Sequence, residues 1–247
     1  MIYILNKYKR KSIKRKKILV NLFIEYYTPS DKNRDWEYKT CISENVNNEF
    51  IKKIFIFISD DSKLDVVSDK IEIIKLDTRP SFKFLFDWCN EHHDNEVCII
   101  SNTDIIFDNT LSSLVDLEEN DFLALTRWDL LFRDGKWFIQ YYDFPWRNEI
   151  TTTMMSQDSW IFKAPMKIRE DMNFLMGKPG CDNRISQIIH ELGYSVKNPS
   201  KLIVTKHLHL SNHRTYNHTD MILGPYLLVN STDSLKKDSD KKTILGF

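Results

Sequence analysis

Three groups of side chains have the types and spacing to do chemistry. The first lies in CIISNTDIIF, residues 98–107, where Ser101, Asn102, Thr103 and Asp104 interrupt an apolar, β-branched run. Desolvating an unpaired carboxylate costs more than a strand gains from packing. Either the strand ends at Ser101 in an ordinary Asx turn, or Asp104 is held there to bind something. If the chain stays extended, Asn102 and Asp104 are two residues apart and share a face. A carboxylate so placed suits a hard divalent cation bridging two phosphates, the chemistry of Mg²⁺ and Mn²⁺.

The second group is KHLHLSNHRTY, residues 206–216, where His207 and His209 also lie two apart on a strand pattern. A lone histidine is usually structural, whereas two on one face, followed by His213 and Arg214, could serve a ligand. Imidazole, carboxylate and phosphate oxygens together suit Mn²⁺ better than Ca²⁺. Arg214 could then neutralise phosphate charge. The third group is a pair of acids, Asp158 in MMSQDSWIF and Asp182 in GKPGCDNRI. Asp182 falls in the first turn of an expected helix, where acids are favoured for local reasons. The functional alternative for this pair, Asp182 or Asp158, is a catalytic general base that deprotonates an incoming hydroxyl.

These groups need elements to position them. Residues 18–27, 51–59, 70–76 and 97–107 are short Ile-, Val- and Phe-rich runs that read as strands. Between the first two, residues 35–48 read as a helix. Between the last two, Phe82, Leu85, Phe86 and Cys89 fall at i, i+3, i+4 and i+7, a helix face over 81–93. Strand, helix, strand, strand, helix, strand implies crossovers and a mostly parallel sheet. Downstream, 122–132 and 136–142 read as strands joined by a hairpin turn at Arg133-Asp134-Gly135. Residues 158–165 and 201–211 read as strands, and 182–192 as a helix with Gly180 ahead and Gly193 behind. In an open α/β sheet ligands bind outside the carboxyl ends of the strands, which is where Asp104 falls.

Composition sets limits. The 247 residues are 42% hydrophobic and 28% charged, a soluble globular profile with room for a sizeable core. Net charge is zero, yet residues 1–17 carry eight basic side chains (Lys7, Lys9, Arg10, Lys11, Lys14, Arg15, Lys16, Lys17) and no acid. That run reads as a solvated leader, with a nucleic-acid tail or a patch for anionic membrane surfaces as the alternatives. Cys41, Cys89, Cys98 and Cys181 form no C-x-x-C pair, so neither a zinc ribbon nor a disulfide framework is expected, and a cytoplasmic location is. The longest apolar run near the start, 18–24, is far short of the roughly 20 residues that span a bilayer. No repeat or Gly/Ser linker divides the chain. The expected organisation is a basic leader (1–17), one domain (18–230) with a nucleotide-binding half (18–110) and an acceptor half (111–230), and a polar tail (231–247).

Together these pieces resemble the GT-A class of nucleotide-sugar-dependent glycosyltransferases, whose Rossmann-like N-terminal half has a strand ending in an acidic D-x-D metal motif. The corresponding residues here are Asn102-Thr103-Asp104. The likeness runs from about residue 18 to 216 through EYYTPSDKNRDWEY, RPSFKFLFDW, LTRWD, SQDSWIF, GCDNRI and HLHLS. It implies a single α/β domain with helices on both faces of the sheet and a mixed acceptor half. It implies that Glu25, Tyr26 and Arg34 contact the nucleotide base and ribose, and that Arg79 lies near the donor phosphates. Asp104 would bind the metal, Mn²⁺ or Mg²⁺, with His207 or His209 as the late ligand. Asp182 would activate the acceptor, while Asp158, Trp160 and Trp128 would shape the acceptor or sugar pocket. Asn102 departs from the pattern: it can hydrogen-bond a hydroxyl but adds no charge for a metal. The implied partners are a nucleotide-sugar donor, UDP-sugars being preferred on class grounds, and a glycan or other hydroxyl acceptor.

Other readings compete. A sugar-phosphate nucleotidyltransferase needs a Gly-rich basic loop after the first strand, and EYYTPSDKNRD has no glycine. A metal-dependent phosphohydrolase would want more acids at strand ends. A nucleic-acid-binding module would rest on the leader, and nucleic acid is not the expected partner. A lectin-like, non-catalytic relative of the transferases is the last alternative. Donor sugar, acceptor, linkage and oligomeric state have no readable code.

Overall fold

The computed structural model describes residues 17–147, 150–211 and 218–245. The first apolar run forms β1 (Val20–Glu25), buried along its whole length as the centre of a sheet should be. Helix α1 (Lys32–Asn47) follows, its first turn capped by Asp31, whose side chain accepts from the backbone N–H groups of Asn33 and Arg34. Then come β2 (Ile51–Ile58) and β3 (Ile71–Lys75), helix α2 (Phe82–His92) capped by Ser81, and β4 (Val97–Ser101). The order of strand, helix, strand, strand, helix, strand expected from the apolar pattern is the one observed.

The expected single strand over 97–107 is two strands in two sheets. After β4 the chain turns through 102–104 and enters β5 (Ile105–Phe107). The run 122–132 breaks in the same way, into β6 (Asp121–Thr126) and β7 (Trp128–Arg133). β8 (Lys136–Tyr141) returns from β7 through Asp134 and Gly135, whose positive φ values of 51° and 72° suit the tight hairpin turn. The short β9 (Pro145–Arg147) and β10 (Ile150–Thr151) precede β11 (Gln157–Lys163), α3 (Cys181–Glu191) and β12 (Ser195–Lys197). The strand expected over 201–211 is only three residues, β13 (Thr205–His207). Residues read as a polar tail carry β15 (Lys241–Ile244), paired antiparallel with β14 (Tyr226–Val229), and bury Leu235 and Ser239.

The large sheet has seven strands in the order β12-β6-β11-β4-β1-β2-β3. Only β11 runs against the rest, pairing antiparallel with both β4 and β6. Alternate residues feed two cores. Phe23, Phe57, Ile100, Ala124 and Phe162 face α2 and α3, while Leu22, Ile24, Ile56, Ile99 and Leu123 face α1 and the 3-10 helix at Asn109–Asp116. Helices therefore cover both faces. The smaller sheet, β5-β13-β7-β8, takes β5 from chain that leaves β4 and β7 from chain that leaves β6, so it stands against the carboxyl end of the large one.

Candidate functional site

Strand order reverses at β1: β2 and β3 lie to one side of it, β4 to the other. The crevice outside the carboxyl ends of β1 and β4 is thus the topological switch point, where open α/β sheets take their ligands. Glu25 closes β1 there, and the Asn102-Thr103-Asp104 turn follows β4. Buried Thr103 fixes the turn by donating its hydroxyl to the backbone carbonyl of Glu25. Because the backbone turns, Asn102 and Asp104 do not act from one strand face as an extended chain would require.

Asp104 points at α1 and β13. Its Oδ2 accepts from Arg34 Nη2 at 2.5 Å and lies 3.1 Å from His207 Nε2. The other imidazole nitrogen, His207 Nδ1, lies 2.8 Å from Asp129 Oδ1 on β7. Asp104, His207 and His209 each offer a ligand atom, and these atoms all lie within 4.8 Å of one another. Two of the polar atoms in this cluster, Asp104 Oδ1 and His209 Nε2, are buried without a hydrogen-bond partner among the described residues. Leaving such atoms unmet costs about 1–3 kcal/mol each, so two in one cluster need an explanation. One carboxylate oxygen and two imidazoles are a fitting donor set for Mn²⁺. A carboxylate behind a ligating imidazole fixes its tautomer and ring orientation, the position Asp129 holds behind His207.

The electrostatics treat the three residues differently: burial would lower the His207 imidazole, but the Asp104 and Asp129 carboxylates beside it raise it above its ordinary value, so a cation there would have to displace its proton. Burial alone would raise the Asp104 carboxyl, but His207 and Arg34 beside it hold it well below the ordinary carboxylate range. Burial, with Arg34 and His207 adding to it, pushes His209 down to about 4, so at neutral pH its ring is unprotonated and can donate a lone pair.

Glu37 is a buried residue of α1 that sequence reasoning overlooked. Its Oε1 accepts from the backbone N–H groups of Leu210 and Ser211 at 2.6 and 2.7 Å. Its Oε2 accepts from Ser211 Oγ at 3.0 Å and from Arg34 Nη1 at 2.8 Å. One carboxylate therefore pins the segment just after His209 to the helix that also holds Asp104. The signal for it is the i, i+3 pair Arg34/Glu37 one turn into α1.

A second cluster sits at the start of β11, beside the crevice because β11 runs opposite to β4. Asp158 Oδ1 accepts from Asn102 Nδ2 at 2.8 Å, and Oδ2 accepts from Arg127 Nη1 at 3.1 Å. Arg127 also donates through Nε to Asp129 Oδ1 at 3.0 Å. A chain of contacts thus runs from Asn102 through Asp158, Arg127, Asp129 and His207 to Asp104. Asp182, in the first turn of α3, accepts from the backbone N–H of Gln157 at 3.1 Å. Burial, and secondarily the Asp158 charge, push its carboxyl up to about 7. Gly180, at φ +78°, opens that helix where a Cβ would lie 2.9 Å from the carbonyl of Ile222.

Several expected site residues have other duties. Tyr26 is buried and donates its hydroxyl to Asp35, so its ring cannot stack on a base. Arg34 is buried between Asp104 and Glu37 and lies over the Tyr38 ring, so it does not reach out to a ribose. Trp160 belongs to the core on the α2 side, edge-on to Phe82 at 4.8 Å, and lines no sugar pocket. Trp128 is half-buried against Tyr141, with Nε1 donating to the carbonyl of Ser200. Glu25 and Arg79 meet each other in a two-point ion pair (2.5 and 2.7 Å), which aims a still partly exposed guanidinium at the mouth. Arg214 lies outside the described residues. An open groove of about 570 Å³ is lined by Thr28, Asp60, Asp61, Ser62 and Lys63, beyond the carboxyl ends of β1 and β2; apart from Thr28, in the loop after β1, its residues were not anticipated.

No family model matches the chain, and no curated protein matches it in sequence. Solved structures do match in shape. Against GalNAc-T7 with UDP, GalNAc and Mn²⁺ the TM-score is 0.50 at 7% identity, covering 81% of this chain and 45% of that one. The chain thus spans less than half the length of that structure. The mannosyltransferase PcManGT from Pyrobaculum calidifontis, in complex with GDP-Man and Mn²⁺, gives 0.44 at 12% identity over 81% of this chain and 59% of that one. The 4-diphosphocytidyl-2C-methyl-D-erythritol synthase from Anaerococcus prevotii gives 0.44 at 10% identity over 83% and 95%. At 7% identity the match at a TM-score of 0.50 is one of fold alone, and the fold is GT-A-like, as the sequence resemblance implied.

Proposed function

We propose that this chain is a nucleotide-sugar-dependent glycosyltransferase that moves a sugar from a nucleoside-diphosphate donor, with UDP preferred, to a hydroxyl acceptor. The observation that carries the reading is that Asp104, His207 and His209 bring one ligand atom each within 4.8 Å of one another at the switch point of the sheet, while Asp104 Oδ1 and His209 Nε2 are buried and unpartnered among the described residues. Asp104, His207 and His209 would hold Mn²⁺ or Mg²⁺, which supplies charge to offset that of the departing diphosphate. Arg79, aimed by Glu25, adds a second positive charge at the same mouth. The groove at Thr28 and Asp60–Lys63 would receive the nucleoside, since it lies at the carboxyl ends of β1 and β2, on the same edge of the sheet as the cation cluster.

Asp182 serves as the base. A carboxyl poised near 7 can take the acceptor hydroxyl proton at neutral pH without being so weak a base that transfer stalls. The acceptor oxygen then forms its bond to the anomeric carbon as the bond from that carbon to the phosphate oxygen breaks, and the diphosphate leaves with the electron pair. Attack opposite the leaving group inverts the anomeric centre. Positioning and charge neutralisation do most of the work.

A panel of nucleotide sugars incubated with Mn²⁺ and the chain tests this directly. Wild type should consume one of them, by transfer or slow hydrolysis, and Asp104→Ala should consume it at least a hundredfold more slowly. Consumption of none, or equal consumption by the variant, would remove the proposal.

A further inference from the structure

The β7–β8 hairpin projects from the small sheet with an apolar surface that nothing among the described residues covers. Phe132, Trp137, Phe138 and Ile139 are each about half exposed, at 51, 51, 50 and 46%. Register separates them onto two faces. Leu130 pairs with Ile139 and Phe132 with Trp137 on one face, whereas Leu131 pairs with Phe138 on the other. The rings of Phe132 and Trp137 lie 5.0 Å apart, so the first face ends in an aromatic rung. Beyond that rung, Arg133 pairs with Lys136 across the turn, and neither cation has a carboxylate partner among the described residues. β8 is also the free edge of its sheet. A flat, apolar edge strand left open is a liability that soluble proteins normally blunt.

We infer that this hairpin is an interfacial anchor that seats the protein on an anionic lipid bilayer. A flat protein partner or a stacked sugar ring would cover one face and leave the other in water. Pairing of β8 with a second copy would cover the edge and leave both faces open. The headgroup layer of a bilayer surrounds an inserted tip on all sides, and it is where Trp and Phe side chains are favoured. The unpaired Arg133 and Lys136 supply the complementary charge for lipid phosphates. They also set the depth: a hairpin carrying Arg133, Asp134 and Lys136 at its turn enters the headgroup region and stops short of the hydrocarbon. The eight basic residues among positions 1–17 add attraction of the same sign, and a second signal of that kind is what stable peripheral binding needs. This inference does not depend on the reaction proposed above.

Co-sedimentation of the full chain with vesicles decides it. One set is phosphatidylcholine, the other phosphatidylcholine with about one third phosphatidylglycerol. Wild type should pellet with the anionic set and at least tenfold more weakly with the neutral set. The double substitution Trp137→Ser/Phe138→Ser should reduce binding at least tenfold. Arg133→Glu/Lys136→Glu alters only exposed side chains, so it tests the same anchor even if the aromatic variant folds poorly, and it should also release the protein. Three results would each overturn the inference: wild type that ignores both vesicle sets, the charge-reversal variant binding as wild type does through the basic residues 1–17, or hairpin substitutions that dissociate an oligomer in analytical ultracentrifugation while vesicle binding stays unchanged.

Discussion

Asn102 Nδ2 donates to Asp158 Oδ1 at 2.8 Å across the mouth of the crevice, which gives a physical reason for an amide at the first position of the N-T-D turn. A carboxylate at 102 would face the Asp158 carboxylate at hydrogen-bond distance, and two such groups cannot both ionise cheaply. The departure from an acidic pair is thus tied to a residue 56 positions away. Asn102→Asp is expected to lower donor turnover about tenfold or more, since a hydrogen bond to a charged group is worth about 1.5–3 kcal/mol. The exchange Asn102→Asp/Asp158→Asn should recover most of that loss by restoring one donor and one acceptor. Steady-state kinetics on the three variants checks the pairing; an exchange variant no better than the single one counts against it.

The cation site is tested by Mn²⁺ alone, with no substrate present. Titration followed by electron paramagnetic resonance should show the free Mn²⁺ signal quenched by wild type and restored in Asp104→Ala and His209→Ala. Bound metal also stabilises the fold, by about 2.7 kcal/mol when Mn²⁺ is at a hundred times its dissociation constant, so the melting temperature should rise in wild type and stay flat in both variants.

Asp182 makes activity and stability respond to pH in opposite ways. As a base it must be ionised, so the rate should fall as pH drops through about 7. For stability the sign reverses. Its folded value lies above the unfolded one of about 4, so its contribution is fully present below pH 4 and is lost as pH rises through about 7. Asp182→Asn should therefore abolish the rate limb while stabilising the protein at pH 8 and leaving it unchanged near pH 4, as read by denaturant melts at the two pH values.

Glu37 has no counterpart in the proposed chemistry, but its removal should be felt strongly. Glu37→Ala leaves two backbone donors without their acceptor and removes one of the two carboxylates that hold the buried Arg34 charge. Breaking a buried pair costs about 3–5 kcal/mol. At about 2–4 °C per kcal/mol for a chain of this size, the melting temperature should fall by roughly 10 °C. Because the same carboxylate pins the segment after His209, Mn²⁺ affinity should weaken as well.

The parts that were legible in the sequence are those set by local pattern. The alternation in β1, β2 and β4 and the Phe82/Leu85/Phe86/Cys89 stripe each depend on one element's own periodicity. Asp104, His207 and His209 were legible because polar side chains at spacing two inside apolar runs need an external reason. The breaks inside 97–107 and 122–132 were not, because both segments keep strand propensity throughout and change sheets only when β13 and β11 supply partners. Trp160 could not be told from a pocket residue, since its side of β11 is set by the antiparallel register with β4. Glu37 was invisible because its partners, the N–H groups of Leu210 and Ser211, lie 173 and 174 residues on. Arg34 carried the right type for a phosphate or ribose contact, and only the fold shows it enclosed between two carboxylates.

The central claim, a cation-assisted nucleotide site at the Asp104–His207–His209 cluster, is tested most directly by calorimetric titration of UDP, GDP, CDP and ADP into the protein with and without Mn²⁺. The account expects one nucleoside diphosphate to bind in the presence of Mn²⁺, at least tenfold more weakly without it, and at least tenfold more weakly to Asp104→Ala. Failure of all four to bind in the presence of Mn²⁺, or binding indifferent to both Mn²⁺ and Asp104, would contradict it.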